Sequence, residues 1–351
     1  MKKLLLATAI AALSVSAANA APTVYGKAFV TADYVNAERD GTDDQFDVDS
    51  DSVQINSNIS RLGFKGSEAM TANTDVIYQL EYGIAIDGND DNIGFKSRDT
   101  YLGLNNKDFG QFRFGRNYSV TDYINNVTVT EGYWDNLGVS NLDMDGDVLD
   151  AVTMADGGRV NDSIVWIAPK YNGLPLELAL QYGADESFVS DSDDRDSGYG
   201  ASLMFDQGTG FTAGVAYEKD MSQDGDLLRG SATVDLGKYM AAPVMLGAMY
   251  QVADFDGADN GTEDEKGLIV SAEMGLNNFA RPASVYVQYN GTKNLAGFDN
   301  RDSDQVVVGG KYNFKDNMIA HAYIGNNSAE DKNTNTDLDV FALGGGLEYL
   351  F

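Results

Sequence analysis

The chain has 351 residues, with 24 basic and 54 acidic side chains, a formal net charge of −30, no cysteine and a single histidine. The lack of cysteine excludes disulfide scaffolds, thiol nucleophiles and Cys-ligated metals, and His321 alone is too little for most metal or triad chemistry. So acidic a surface repels nucleic acid, whose binding rests on Lys and Arg neutralising phosphates.

The N-terminus carries Lys2 and Lys3, then an apolar run from Leu4 to Leu13 broken only by Thr8, then Ala18-Asn19-Ala20. This is the pattern of a secretory signal with an A-x-A cleavage site, so residues 1–20 are expected to be removed and 21–351 to form a single barrel domain. The shortened chain would keep 22 basic against 54 acidic residues, near −32. No later stretch approaches the roughly 18 consecutive apolar residues that a spanning helix needs. A membrane β-barrel remains open, because its strands need only about ten alternating residues each.

From Thr23 onward, apolar residues recur at every second position, and turn signals divide the chain into about sixteen strands. Thr23–Asn36 and Ser52–Gly66 flank an acidic segment. Asp75–Ile86 puts Val76, Tyr78, Leu80, Tyr82, Ile84 and Ile86 on one face, with Gln79 and Glu81 on the other. This is the two-faced pattern of a sheet between oil and water. Arg98–Asn105 and Gln111–Arg116 follow, joined by a tight turn.

Alternation then stops. Tyr118 to Asn161 is rich in acids, Gly and Asn, with no period of two or of 3.6. Structureless segments of this length are uncommon in compact domains unless they serve a function or are disordered. The expectation is a loop that folds into the barrel lumen and narrows it.

Alternation resumes in Ser163–Tyr171, Leu174–Gly183, Tyr199–Phe205, Phe211–Tyr217, Leu227–Leu236, Val244–Asp254, Leu268–Leu276 and Ala283–Asn290. The last three strands are Gln305–Phe314, Met318–Gly325 and Asp337–Phe351. Connections alternate short and long, as in an up-and-down barrel with one tidy rim and one loop-bearing rim. One irregularity stands out. Asn56, Asn58 and Ser60 share parity with Leu62 and Phe64, which predicts polar groups on the lipid face and suggests that a neighbouring subunit covers them.

Several motifs together carry a family resemblance. They are Val24-Tyr25-Gly26-Lys27, Arg61-Leu62-Gly63-Phe64-Lys65-Gly66, Arg98 with Tyr101-Leu102-Gly103-Leu104, Phe109-Gly110 leading to Phe114-Gly115-Arg116-Asn117-Tyr118, Gly158-Arg159-Val160, and the terminal Tyr349-Leu350-Phe351. Over essentially all of 21–351 the chain resembles the general, non-specific porins of Gram-negative outer membranes. The resemblance implies an all-β, sixteen-stranded antiparallel transmembrane barrel, assembled as a homotrimer, with its third loop folded into the lumen. It implies a passive channel for small polar solutes and ions, with no enzymatic activity and no cofactor. Lipopolysaccharide, outer-membrane lipid and the outer-membrane assembly machinery are the implied partners, the last reading Tyr349 and Phe351.

The family sets basic wall residues against acids on the inward loop. The matching wall positions are Lys27, Arg61, Lys96, Arg98 and Arg159. Alternation agrees for Arg61, since Leu62 and Phe64 face out, and a charge on the lipid face would cost about 2 to 4 kcal/mol at mid-membrane. Many relatives carry Pro-Glu-Phe-Gly-Gly at the loop tip. Here Glu131-Gly132-Tyr133-Trp134-Asp135 stands nearby, and Glu131 and Asp135 keep the four-residue acidic spacing, with Asp143, Asp145 and Asp147 as competitors. The overall acidity leads us to expect cation preference.

Three rival readings remain: a substrate-specific channel, a surface receptor or adhesin, and a hydrolase built on His321. The hydrolase lacks any G-x-S-x-G or metal-ligand spacing. Asn141-x-Asp143-x-Asp145-Gly146 imitates half an EF-hand loop, but its twelfth position is Val152 rather than Glu, so no metal site is expected.

Overall fold

The structure, a computed structural model, describes residues 21–41, 47–88, 95–135, 137, 152–170, 174–184, 197–256 and 261–351. The proposed leader, Asp143, Asp145, Asp147 and the EF-hand-like segment before Val152 lie outside these residues.

Seventeen strand segments are seen among the described residues. The first six are β1 (Thr23–Asp40), β2 (Val48–Ser57), β3 (Arg61–Ala69), β4 (Thr74–Gly83), β5 (Lys96–Asn106) and β6 (Gly110–Tyr118). After the long loop come β7 (Arg159–Ile167), β8 (Leu176–Gly183), β9 (Gly198–Asp206), β10 (Phe211–Lys219), β11 (Gly225–Asp235) and β12 (Val244–Phe255). The last five are β13 (Glu265–Gly275), β14 (Ala283–Lys293), β15 (Arg301–Lys315), β16 (Met318–Asp331) and β17 (Thr336–Leu350). Sequential neighbours pair antiparallel, and β1 closes the ring on β17 from Lys27↔Leu350 to Asp40↔Asp337. Both β2 and β3 pair with β1, so they are two halves of one stave. The architecture is a closed antiparallel barrel of sixteen staves.

Alternation does the sorting. On β15, Val306 and Val308 are exposed on the outer face while Gln305 and Val307 are buried in the interior; on β16 and β17, Ile324, Leu343 and Leu347 continue the outer apolar band. Closure leaves no edge strand among the described residues, so the spanning backbone is paired along its ladders, as hydrocarbon demands. Several strands run longer than their sequence pattern. β16 reaches Asp331, six residues past the predicted Gly325. The extra turns of strand carry polar residues on both faces, because water rather than lipid surrounds them, so the apolar period that marks a spanning strand is lost there.

The break between β2 and β3 corrects one expectation. Val30 pairs with Ser57 and Lys27 with Arg61, so three residues, Asn58, Ile59 and Ser60, stand opposite Ala28 and Phe29. This one-residue bulge, with Ile59 at φ 49°, reverses the alternation. Asn56 therefore points inward and donates to Asp33 Oδ2 at 2.7 Å, and Asn58 donates to Thr31 Oγ1 at 2.7 Å. Val53 and Ile55 face outward instead, 77% and 55% exposed. The two asparagines are not on the lipid face, and they give no reason to place a neighbouring subunit over it.

Candidate functional site

The loop after β6 runs around the inner wall, and its backbone polar groups are met by inward polar side chains. A short 3₁₀ turn, Val120–Ile124, opens it; Ser119 caps this turn and also bonds Glu218 on β10. The Val120 N–H donates to Gln181 Oε1 at 3.0 Å, and Ser231 Oγ donates to the Ile124 carbonyl at 2.6 Å. Farther along, Ser271 donates to the Val127 carbonyl, and the Val129 N–H donates to Gln288 Oε1 at 2.8 Å. At the tip, the Tyr133 N–H donates to the Tyr323 hydroxyl at 3.1 Å, and Trp134 Nε1–H donates to the Ala342 carbonyl at 3.2 Å. Buried backbone groups without partners are costly, which explains why Gln, Ser and Tyr sit at these inward positions of the wall.

Apolar contacts hold the same path. Val127, Leu137 and Met154 pack with Met249 and Ile269 of the wall. Trp134 and Val152 join Tyr286, Val307, Tyr323 and Leu338. The returning arm is clamped at Ala155, whose N–H donates to Glu265 Oε1 at 2.7 Å and whose carbonyl accepts from Gln251 Nε2 at 2.6 Å and from Arg229 at 3.2 Å. Arg229 is fully buried and also lies 3.4 Å from Asp156.

The described loop residues bond to β8 through β17, and the charges of β3 to β7 meet on the facing wall. Arg98 Nε donates to Glu81 at 2.8 Å, and its Nη2 donates to the Tyr118 hydroxyl at 3.3 Å. Arg61 lies 3.8 Å from the same Glu81. Arg159 donates to Asp99 at 3.0 Å and stacks over the Tyr118 ring at 3.9 Å. Such charge-assisted bonds hold the guanidinium planes in place. Between this wall and the loop is a cavity of about 430 Å³, lined by Arg98, Arg159, Tyr118 and Tyr123, by Asp122, Asp135 and Asp156, and by Ile59, Asn125 and Gly158. Burial pushes the Asp122 carboxyl well above the ordinary carboxylate range; the nearby Asp156 carboxylate adds to this, and Arg229 and Arg159 oppose it.

The residues singled out from sequence are thus distributed. Arg98, Arg159 and Asp135 come together around the cavity, and Arg61 joins them through Glu81. Lys27 lies 3.6 Å from Glu348, which in turn lies 2.9 Å from His321 Nε2. Lys96 is exposed at the start of β5 and is not among the cavity-lining residues. Glu131 lies 3.5 Å from Lys311 of β15, away from Arg98 and Arg159. Tyr349 and Phe351 stack with ring centroids 6.2 Å apart on the outer face, and Phe351 exchanges backbone hydrogen bonds with Gly26.

Sequence reasoning missed Asp122, Asp156, Tyr118, Arg229 and Ile59. One signal was available in Asp156-Gly157-Gly158-Arg159. A β-carbon at Gly157 would fall 1.8 Å from Thr121 Oγ1, and Gly158 has φ 51°. The two glycines therefore let an acid and a base return side by side against the opening turn.

Comparison with known proteins places this geometry among relatives. A family model described as Gram-negative porin matches residues 7–332. Outer membrane porin N of Escherichia coli (strain K12) is 27% identical over 359 residues, covering 92% of this chain and 91% of that one. Outer membrane protein F of Serratia marcescens is 28% identical, with 83% and 84% covered. Among solved structures, the anion-selective porin from Comamonas acidovorans superimposes with a TM-score of 0.69 at 17% identity, covering 95% of this chain and all of that one. OmpT of Vibrio cholerae in a trimer form gives 0.58 at 15% identity, with 95% and 100% covered.

Proposed function

This chain belongs to the Gram-negative porin family and is an outer-membrane channel for solute diffusion; from that premise we propose that its waist is the cavity between Arg98 and Arg159 and the loop acids, and that it prefers cations. The carrying observation is the lining itself: among the described residues, three acids, Asp122, Asp135 and Asp156, stand against two guanidiniums. Each of those guanidiniums already faces a wall carboxylate, Glu81 or Asp99.

The mechanism needs no reaction and no energy input. Opposite charges across a narrow, fixed waist make a transverse field that orients dipolar solutes and disfavours apolar ones. The net sign of the lining biases ions by attraction at close quarters. The fold alone does not decide that sign, since the Comamonas relative is an anion-selective porin with the same architecture. In this reading Arg61 supports the wall by sharing Glu81, while Lys27 and Glu131 are each largely neutralised by Glu348 and Lys311.

The working unit in this proposal is a homotrimer, supported by the trimer form of the Vibrio cholerae relative, with the apolar outer band in contact with lipid and lipopolysaccharide. The chain would reach the membrane after loss of residues 1–20, with Tyr349 and Phe351 read during assembly. The test is single-channel conductance in planar bilayers, with reversal potential across a salt gradient. Openings in threes with a cation-selective potential are expected. An anion-selective potential, or one that Asp135→Lys leaves unmoved, would overturn the assignment of the waist.

A further inference from the structure

The bulge between β2 and β3 does more than reverse alternation. Ile59 stands in the left-handed region at φ 49°, where β-branched side chains rarely go and are strained. It is 38% exposed and lines the same cavity as Arg98, Arg159, Asp122 and Asp135. A glycine or asparagine would take this conformation without strain, so the local backbone does not explain the isoleucine. Nor is it needed for packing, since it is not buried. Strained residues that persist against local preference gather at ligand contacts.

We propose that Ile59 is a specificity-determining contact for zwitterions with an aliphatic side chain, of the amino-acid class. A carboxylate meets the guanidiniums of Arg98 and Arg159, and an ammonium meets the carboxylates of Asp122 and Asp135. The side chain between them meets Ile59, the one aliphatic residue among the described residues lining the cavity. A sugar matches neither sign of charge and gains nothing from Ile59. Small-solute sites elsewhere have this composition, an apolar surface with a few convergent polar groups. The contact is weak and leaves a passive pore passive: it lengthens the stay of one solute class at the waist.

This inference rests on the cavity being the waist, and the experiment separates the two. Binding of L-leucine and of glycine is measured from interruptions of ion current through the protein purified from outer membranes and inserted in planar bilayers. The two solutes share one zwitterionic head and differ only in the aliphatic chain. In the wild type, leucine is expected to bind at least about fourfold more tightly, the worth of one buried methylene. In Ile59→Asn and in Ile59→Gly the ratio should fall toward one. Both replacements accept the left-handed backbone, so both should fold. A ratio of one in the wild type, or an unchanged ratio in both variants, overturns the role of Ile59 while ion conductance still upholds the channel. Absence of conductance overturns both readings.

Discussion

Trp134 at the loop tip lies against Gly325 on β16, so close that a β-carbon at position 325 would fall 2.8 Å from its indole. Its Nε1–H reaches across to the Ala342 carbonyl on β17 at 3.2 Å. One buried side chain thus fastens the far end of the inward loop to two neighbouring strands. Trp134→Ala should remove about 3 to 5 kcal/mol of local packing. The closed ladder of strands does not depend on it, so the barrel should still assemble while the loop loosens. The expected result is larger and noisier single-channel current, together with faster proteolysis within the loop.

Arg159 neutralises Asp99 and faces the loop acids. Arg159→Ser would leave the buried Asp99 carboxylate without its ion pair and remove one positive charge from the cavity lining. Cation preference, read as reversal potential across a potassium chloride gradient, should increase. The effect should weaken as salt rises, because screening shortens the reach of the lining charges.

Asp122 supplies a pH signature. Its folded-state pKa is raised, so on acidification it takes up its proton before ordinary carboxylates do. Cation preference should begin to fall at a pH above the usual carboxylate range, and Asp122→Asn should abolish that early step. The stability sign follows from the same shift. A carboxyl with a raised folded pKa destabilises the fold when ionised, and that penalty is lost as pH falls through the folded value. Asp122→Asn should therefore raise the temperature of unfolding on heat-modifiability gels at neutral pH and make no difference in acid.

The bulge predicts that two changes at one position both leave the barrel folded. Ile59→Gly relieves the left-handed strain and should stabilise the barrel by about 1 kcal/mol. Deleting residue 59 removes the extra residue and restores simple alternation through the stave. Asn58 and Ser60 would then stand opposite Phe29 and Ala28, so Asn56 and Asn58 stay on the inward face with Arg61 while Leu62 and Phe64 stay outward. Yield of folded protein in the outer membrane should therefore stay close to that of the wild type.

The barrel was legible in the sequence because membrane strands obey a local rule. Each places apolar side chains outward at every second residue, so runs such as Val306, Val308 and Leu343, Leu347 announce their own orientation. Where the rule is local it also fails locally. One extra residue at Ile59 was invisible to a pattern counted by parity, and the two asparagines were assigned to the wrong face. Polar strand ends, as in β16 beyond Gly325, were missed because water imposes no alternation.

By itself the sequence determined a closed antiparallel barrel, the inward face of Arg61, and a long unpatterned segment between its fifth and sixth staves, while Arg98 and Arg159 were marked only by the family resemblance. Only the tertiary structure decided which acids meet that wall. Glu131 has the expected spacing yet turns to Lys311, while Asp122 and Asp156, far apart in the chain, arrive with Asp135 at one cavity. The reason is that a loop with no period carries no instruction about direction. Its course is set by where Val127, Trp134 and Met154 find apolar partners, and where Gln181, Glu265 and Gln288 satisfy its backbone, on strands that folding alone brings near.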